Sequence, residues 1–168
     1  MKLKNFKKCP MEIANILASN DTIVRLLYDD EPSVLVNRKS LNLSMQELIE
    51  QNYIGFYPAT ESGITNIERN TFVIINMEDF SLHDTDSNHR ASGAIYVTTD
   101  KAHCLLSNNK LRLLELVDEV DTALDGQKLS SAGKISITSV NYVVFSDFRC
   151  GYRINFRLHD QSNRKAEL

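Results

Sequence analysis

Tryptophan is absent from this chain of 168 residues, cysteine and proline occur three times each, and there are only six glycines. Gly55, Gly63, Gly93, Gly126, Gly133 and Gly151 stand singly, so no glycine-rich loop is available to cradle a phosphate. Cys9, Cys104 and Cys150 are widely spaced, without a CxxC and odd in number. That pattern gives no disulfide framework, and Cys104 and Cys150, beside apolar runs, read as small buried hydrophobes. No apolar run approaches the roughly 20 residues that cross a bilayer. The opening Met1 to Pro10 is not followed by the apolar stretch of a secretion signal. The expectation is a chain made in the cytoplasm with no membrane partner. Positive charge is also short: 19 Lys and Arg against 22 Asp and Glu leave a net charge of −3. General affinity for nucleic acid needs a concentrated positive face, and only Lys2, Lys4, Lys7 and Lys8 crowd together.

What is present suffices for one core, since 42% of the residues are hydrophobic and the length is that of one ordinary domain. The expectation is a single α+β domain over residues 1–160 with a flexible tail at 161–168. Pro10 suits the first turn of a helix, where a missing N–H costs nothing. Met11 to Ser19 then places Ile13, Ile16 and Leu17 on one stripe. Asn20 or Asp21 can cap a second helical segment, Thr22 to Tyr28; one kinked helix and two separate helices fit equally. Ser44-Met45-Gln46-Glu47 fits a capping box opening a short helix through Gln51. Tyr53 to Tyr57 ends at Pro58 and reads as an edge strand or extended loop.

Thr71 to Met77 is apolar at nearly every position, which predicts a strand covered on both faces. Ala94 to Thr99 is its antiparallel partner, and the polar Glu78 to Ser92 between them reads as a projecting arm. Asn108 to Asp125 predicts one long helix of about 27 Å. Leu113, Leu116, Val117, Val120, Ala123 and Leu124 form its core arc; Asp118, Asp121 and Asp125 lie opposite, with Glu115 and Glu119 at the flanks. Leu111 and Leu114 fall on the charged side, at a spacing that suits contact with another subunit. After Gly126, a natural helix end, Lys134 to Phe145 alternates with a change of phase that places a bulge near Ser139 or Val140. Gly151 to His159 buries Tyr152, Ile154, Phe156 and Leu158 and exposes Arg153, Asn155, Arg157 and His159. The fold class expected is α+β, a mostly antiparallel sheet packed against one long helix plus N-terminal helices.

Few segments carry chemistry. The loop His83-Asp84-Thr85-Asp86-Ser87-Asn88-His89 has plausible metal donors, but its spacing matches neither a helical HExxH pattern nor a calcium loop. A solvated surface connection accounts for it more simply. Glu61-Ser62-Gly63 lacks the setting of a nucleophile elbow. The helix acids are most simply a solvated face. Arg149, Arg153 and Arg157 read three ways: a basic stripe for nucleic acid, a set of partners for acids of a neighbouring copy, or an ordinary solvated strand face. No catalytic residue, metal or cofactor is expected.

The order of segments, Met11 to Tyr28, Thr71 to Thr99, Asn108 to Asp125 and Ile135 to Leu158, resembles that of tail terminators among the tail-completion and neck proteins of tailed bacteriophages. Ile23-Val24-Arg25-Leu26-Leu27-Tyr28 and Gly151-Tyr152-Arg153-Ile154-Asn155-Phe156 are similar to segments common in that group. The resemblance implies a nonenzymatic virion protein that forms a homo-oligomeric, commonly hexameric, ring capping the tail tube and joining it to the neck. Its partners would be the tail tube protein and a neck or head-closure protein, with genomic DNA passing through the lumen without specific binding. A ring needs two different patches per subunit. The expected interface residues are Leu111, Leu114, Val143, Phe145, Arg149, Arg153 and Arg157, with the apolar faces near Phe72 to Ile75 covered by sister copies; Glu115, Asp118, Glu119 and Asp121 would face the lumen. The alternatives are a head-closure or adaptor protein of the same virion, a metal-dependent hydrolase using His83, Asp84, Asp86 and His89, and a nucleic-acid binding module using the arginine face.

Overall fold

A computed structural model of the chain describes residues 6–36, 41–56, 64, 67–81 and 90–159. The 83–89 donors, Glu61-Ser62-Gly63, the basic Lys2 and Lys4, and the tail 161–168 lie outside the described residues.

The N-terminal segment forms two helices, α1 over Cys9–Ala18 and α2 over Asp21–Tyr28. Asn20 separates them. Its backbone is extended, and its Oδ1 accepts from the N–H groups of Thr22 at 3.0 Å and Ile23 at 3.1 Å, which pairs two donors that the first turn of α2 would otherwise leave open. Helix α3, Met45–Glu50, starts at the expected capping box, with Ser44 Oγ accepting from Glu47 N and the Glu47 carboxylate accepting from Ser44 N.

Among the described residues six strands form one sheet in the order β1-β2-β3-β6-β5-β4: β1 Ile54–Gly55, β2 Thr71–Ser81, β3 Arg90–Asp100, β4 Lys128–Leu129, β5 Gly133–Val144 and β6 Arg149–His159. The sheet is mixed. β1 runs parallel to β2, and the other four pairings are antiparallel. The β2–β3 ladder continues as far as Ser81 opposite Arg90, so much of the expected arm Glu78 to Ser92 is strand. It is kept in the ladder by a bulge that takes up Glu78. A second bulge takes up Thr138 between Ile137 and Ser139 of β5. The two lie on neighbouring rungs at either end of the Gly93–Phe156 pair.

The long helix is shorter than expected: α4 covers Arg112–Leu124. Residues before it are drawn into a tight turn, with Asn109 at φ 61° and Leu105 bridged to Leu111. Gly126, at φ 78°, then turns the chain toward β4, a conformation glycine adopts without a Cβ clash.

Helices α1, α2 and α4 cover one sheet face, burying Ile13, Leu17, Ile23, Leu116, Val120 and Leu124 against Val73, Ile95, Val97, Ile154, Phe156 and Leu158. Each such side chain contributes about 1.5–3 kcal/mol of burial. The opposite face carries a smaller cluster of Phe72, Ile74, Ala94, Tyr96 and Phe145, covered by Ile64 and Ile67. Gly151 lets the Phe145 ring approach, because a Cβ there would meet Phe145 Cε2 at 3.2 Å and run into the Val97 carbonyl.

Arg112 is wholly buried. Its Nη1 donates to the carbonyls of Leu26 at 2.9 Å and Asp29 at 2.6 Å, Nη2 to that of Glu31 at 2.9 Å, and Nε to that of His103 at 3.1 Å. One guanidinium therefore ties the C-terminal end of α2 to the start of α4, with its charge at the end of α2 that the helix dipole favours. Burial lowers its pKa, and Asp30 and Asp29 pull the other way.

Candidate functional site

The residues expected to act at interfaces separate into three groups. Leu111 and Leu114 are 46% and 45% exposed; Leu114 lies on α4, whereas Leu111 is extended just before it. Val143 is half-buried against the smaller cluster. Phe145 and Arg149 are inside the chain, which corrects the expectation that both meet a neighbour. Arg149 donates from Nε to Asp100 Oδ1 at 2.7 Å, from Nη1 to the carbonyls of Ile64 and Ile67, and from Nη2 to that of Arg69. Its plane lies 5.0 Å from the Phe72 ring centroid. Only Arg153 and Arg157 remain of the stripe, and Arg153 is half-buried, with Nη2 on Glu78 Oε2 and the guanidinium over Tyr96.

The apolar faces near Phe72 to Ile75 need no sister copy either. Phe72 and Ile74 are sheltered by Ile64, Ile67, Tyr96 and Phe145 of the same chain, and Val73 and Ile75 by the helices. The segment between β1 and β2 supplies a covering layer that alternation alone does not reveal.

The expected lumen acids are not one free array. Asp118 is exposed, whereas Glu115 is half-buried and paired with Lys110 at 2.9 Å. Glu119 accepts from Asn20 Nδ2 at 3.1 Å, joining α4 to the cap of α2, and Asp121 is half-buried. Asp125 Oδ1 accepts from Ile137 N at 2.9 Å, fastening the end of α4 to β5.

Beyond that attachment one face of β5 is exposed among the described residues. Val140, Tyr142 and Val144 project from one face and are 42%, 56% and 58% exposed, and Phe148 follows, also exposed. Tyr142 meets the Tyr152 ring edge-on at 5.4 Å between centroids. The sequence carries one signal for this patch: no charged residue occurs from Ile135 to Ser146.

On the opposite face Glu78, Ser92, Thr138, Ser139, Asn155 and Arg157 line a shallow hollow of about 250 Å³. Its polar groups largely satisfy one another: Asn155 Nδ2 donates to Ser139 Oγ at 2.8 Å and Thr138 Oγ1 to the Asn155 carbonyl at 3.2 Å. Among the described residues no cluster of three or more His, Cys, Asp or Glu is arranged to hold a metal. Burial, with Cys150 next to it, pushes the Cys104 thiol up to about 11, so at neutral pH it is a thiol and not a nucleophilic thiolate. No helix among the described residues is long and apolar enough to cross a membrane.

Residues 20–158 match the family model described as YomW, a span that runs from the Asn20 cap to the penultimate residue of β6. This chain belongs to the YomW family. No curated protein matches it. Among solved structures it is similar to a chain of the virion of a native gene transfer agent particle, with a TM-score of 0.46 and 16% identity, over 83% of this chain and 90% of that one. The YomW match takes in the sheet as far as Leu158, all of α2, α3 and α4, and the exposed stretch of β5.

Proposed function

We propose that this chain is a structural subunit of a tailed-phage virion, and within it a tail terminator whose copies form a ring that caps the tail tube and joins it to the neck. The observation that carries the reading is the match to YomW, a phage-associated family, over nearly the whole described fold. The surface supports it. A closed ring of identical subunits needs two unlike patches on each, and this chain exposes Leu111 and Leu114 by α4 and Val140, Tyr142 and Val144 on β5, apart from the polar face carrying Arg153 and Arg157. Asp118 and Asp121 on α4 would turn toward the lumen, where DNA passes without adhering. The tail tube protein and a head-closure protein are the partners on either side, and the virion is the location.

The test is to delete the gene from a phage that carries it and to image the particles by electron microscopy. The expected result is filled heads separated from tails that lack a terminal ring and vary in length. Tails of normal form with heads that leak DNA would replace the terminator role with head closure. Infectious particles of normal form would overturn the reading.

A further inference from the structure

Two of the three cysteines meet, although α4, β4 and β5 lie between them in the chain. After β3 ends at Asp100, a single 3-10 turn, Lys101–His103, folds the chain back, and Cys104 Sγ reaches the Asp100 carbonyl at 3.5 Å. Cys104 is then held in front of α4, where its own carbonyl accepts from Arg112 N at 2.7 Å. Cys150 is the second residue of β6, on the rung of Thr99 and Val144, one rung from the Asp100–Arg149 pair. Its side chain belongs to the helix-side core, and Cys104 packs against the same cluster. The two thiols come within hydrogen-bond range of each other, and the Tyr142 hydroxyl reaches Cys150 from β5. Cys104 is half-buried and Tyr142 is exposed, so the sulfurs lie just beneath the surface. Cys9 is at the other end of the sheet, with Sγ 3.3 Å from Oγ of Ser131, which precedes the first residue of β5.

We propose that Cys104 and Cys150 form a cross-linking site, a thiol pair that a small disulfide of the glutathione class converts into an intramolecular disulfide. Cys104, the more exposed of the two, attacks one sulfur of the small disulfide as its thiolate; that S–S bond breaks, and one small thiol leaves with the proton that Cys104 gave up. Cys150, deprotonated in its turn, attacks Cys104 Sγ and releases the second small thiol. The two protein thiols lose two electrons and two protons, and the small disulfide takes up both.

The surroundings set the rate. A Cys104 thiol held up to about 11 is rarely a thiolate at neutral pH, so the bond closes slowly and faster as pH rises. The same basic sulfur is a poor leaving group, so the closed bond also reopens slowly. Reducing thiol pools keep the pair open, and an oxidising surrounding closes it. Closure joins the loop before α4 to the start of β6 and confines the unfolded chain from residue 104 to 150, which stabilises the fold.

The full-length protein, reduced and then freed of reductant, tests this on incubation with oxidised glutathione at about pH 8.5. Thiol titration after unfolding in acid should fall from three to one, and peptide mapping without reductant should recover Cys104 joined to Cys150 with Cys9 free. The melting temperature should rise by about 5–10 °C and return to its starting value on reduction. Cys9→Ser should close the same bond and leave no free thiol. A count that stays at three, a glutathione adduct as the end product, a disulfide between two chains, a Cys9→Ser protein that does not close, or a joined pair that melts no higher than the reduced protein overturns the proposal.

Discussion

Asp100 and Arg149 face each other as Cα partners on the β3–β6 ladder, and their side chains repeat the pairing, with Arg149 Nε donating to Asp100 Oδ1 at 2.7 Å. The same guanidinium holds three carbonyls of the segment that covers Phe72. Arg149→Met should lower the unfolding free energy by about 3 kcal/mol, since it strands Asp100 and those carbonyls together. Urea denaturation followed by circular dichroism measures it. Arg149→Lys should recover less than half of the loss, because an ammonium cannot reproduce the planar fork.

Arg112 should be equally intolerant on the other side of the sheet. Of its four carbonyl partners, among the described residues, only that of Glu31 has a second donor, Val34 N at 3.2 Å, so Arg112→Met should cost about 3 kcal/mol. Hydrogen exchange should show the loss first in α2 and the turn at Asp29 to Glu31. Uniform protection there in the variant would contradict the clamp.

Glu12 gives a pH dependence. Burial pushes its carboxyl pKa up, but hydrogen bonds from the side chains and backbone N–H groups of Ser130 and Ser131 outweigh that and hold it below the ordinary value. A carboxylate with a depressed folded pKa contributes stability that is complete above its unfolded pKa and disappears as pH falls through the folded one. The melting temperature should therefore decline below the ordinary glutamate pKa of about 4.3. Glu12→Gln should flatten part of that decline while lowering the plateau at neutral pH. An unchanged acid limb in the variant would remove Glu12 from the account.

Gly151→Ala should destabilise by about 1–3 kcal/mol through overpacking, because the new methyl collides with the Val97 carbonyl and crowds Phe145. Combining it with Phe145→Leu should return only part of the loss, since the backbone contact persists. Thermal unfolding of the four proteins of this cycle gives the coupling.

Local signals in the sequence translate directly into this fold. Pro10 in the first turn of α1, Asn20 capping α2, the Ser44 and Glu47 box and Gly126 after α4 each act on a few neighbouring backbone groups, so residue order suffices to read them. The phase change in β5 likewise marks its bulge. Arg112 could not be read, because a charged residue near a helix start looks solvated unless one knows that the end of α2 lies against it. Phe145 and Arg149 read from the sequence as contacts for a neighbour, and they are buried because Ile64 and Ile67 of the same chain lie over them. The parallel β1–β2 pairing joins Ile54 to Val73 across the chain with two residues, too short a strand to leave a periodic trace. Of the exposed apolar residues, Leu114 is legible from helical spacing, whereas Leu111 lies before the helix; for Val140, Tyr142 and Val144, alternation shows which side chains share a face and not whether anything lies on it.

Glu78 and Thr138, the two residues outside the ladder, sit at opposite ends of the Gly93–Phe156 rung. Extra residues in both flanking strands at one level give the sheet a single crease, with intact hydrogen bonding above and below it. Loss of either residue would leave Met77 and Asp79, or Ile137 and Ser139, opposite the partners they already have, so these are the two positions at which a strand can shorten by one residue without turning its later side chains to the wrong face.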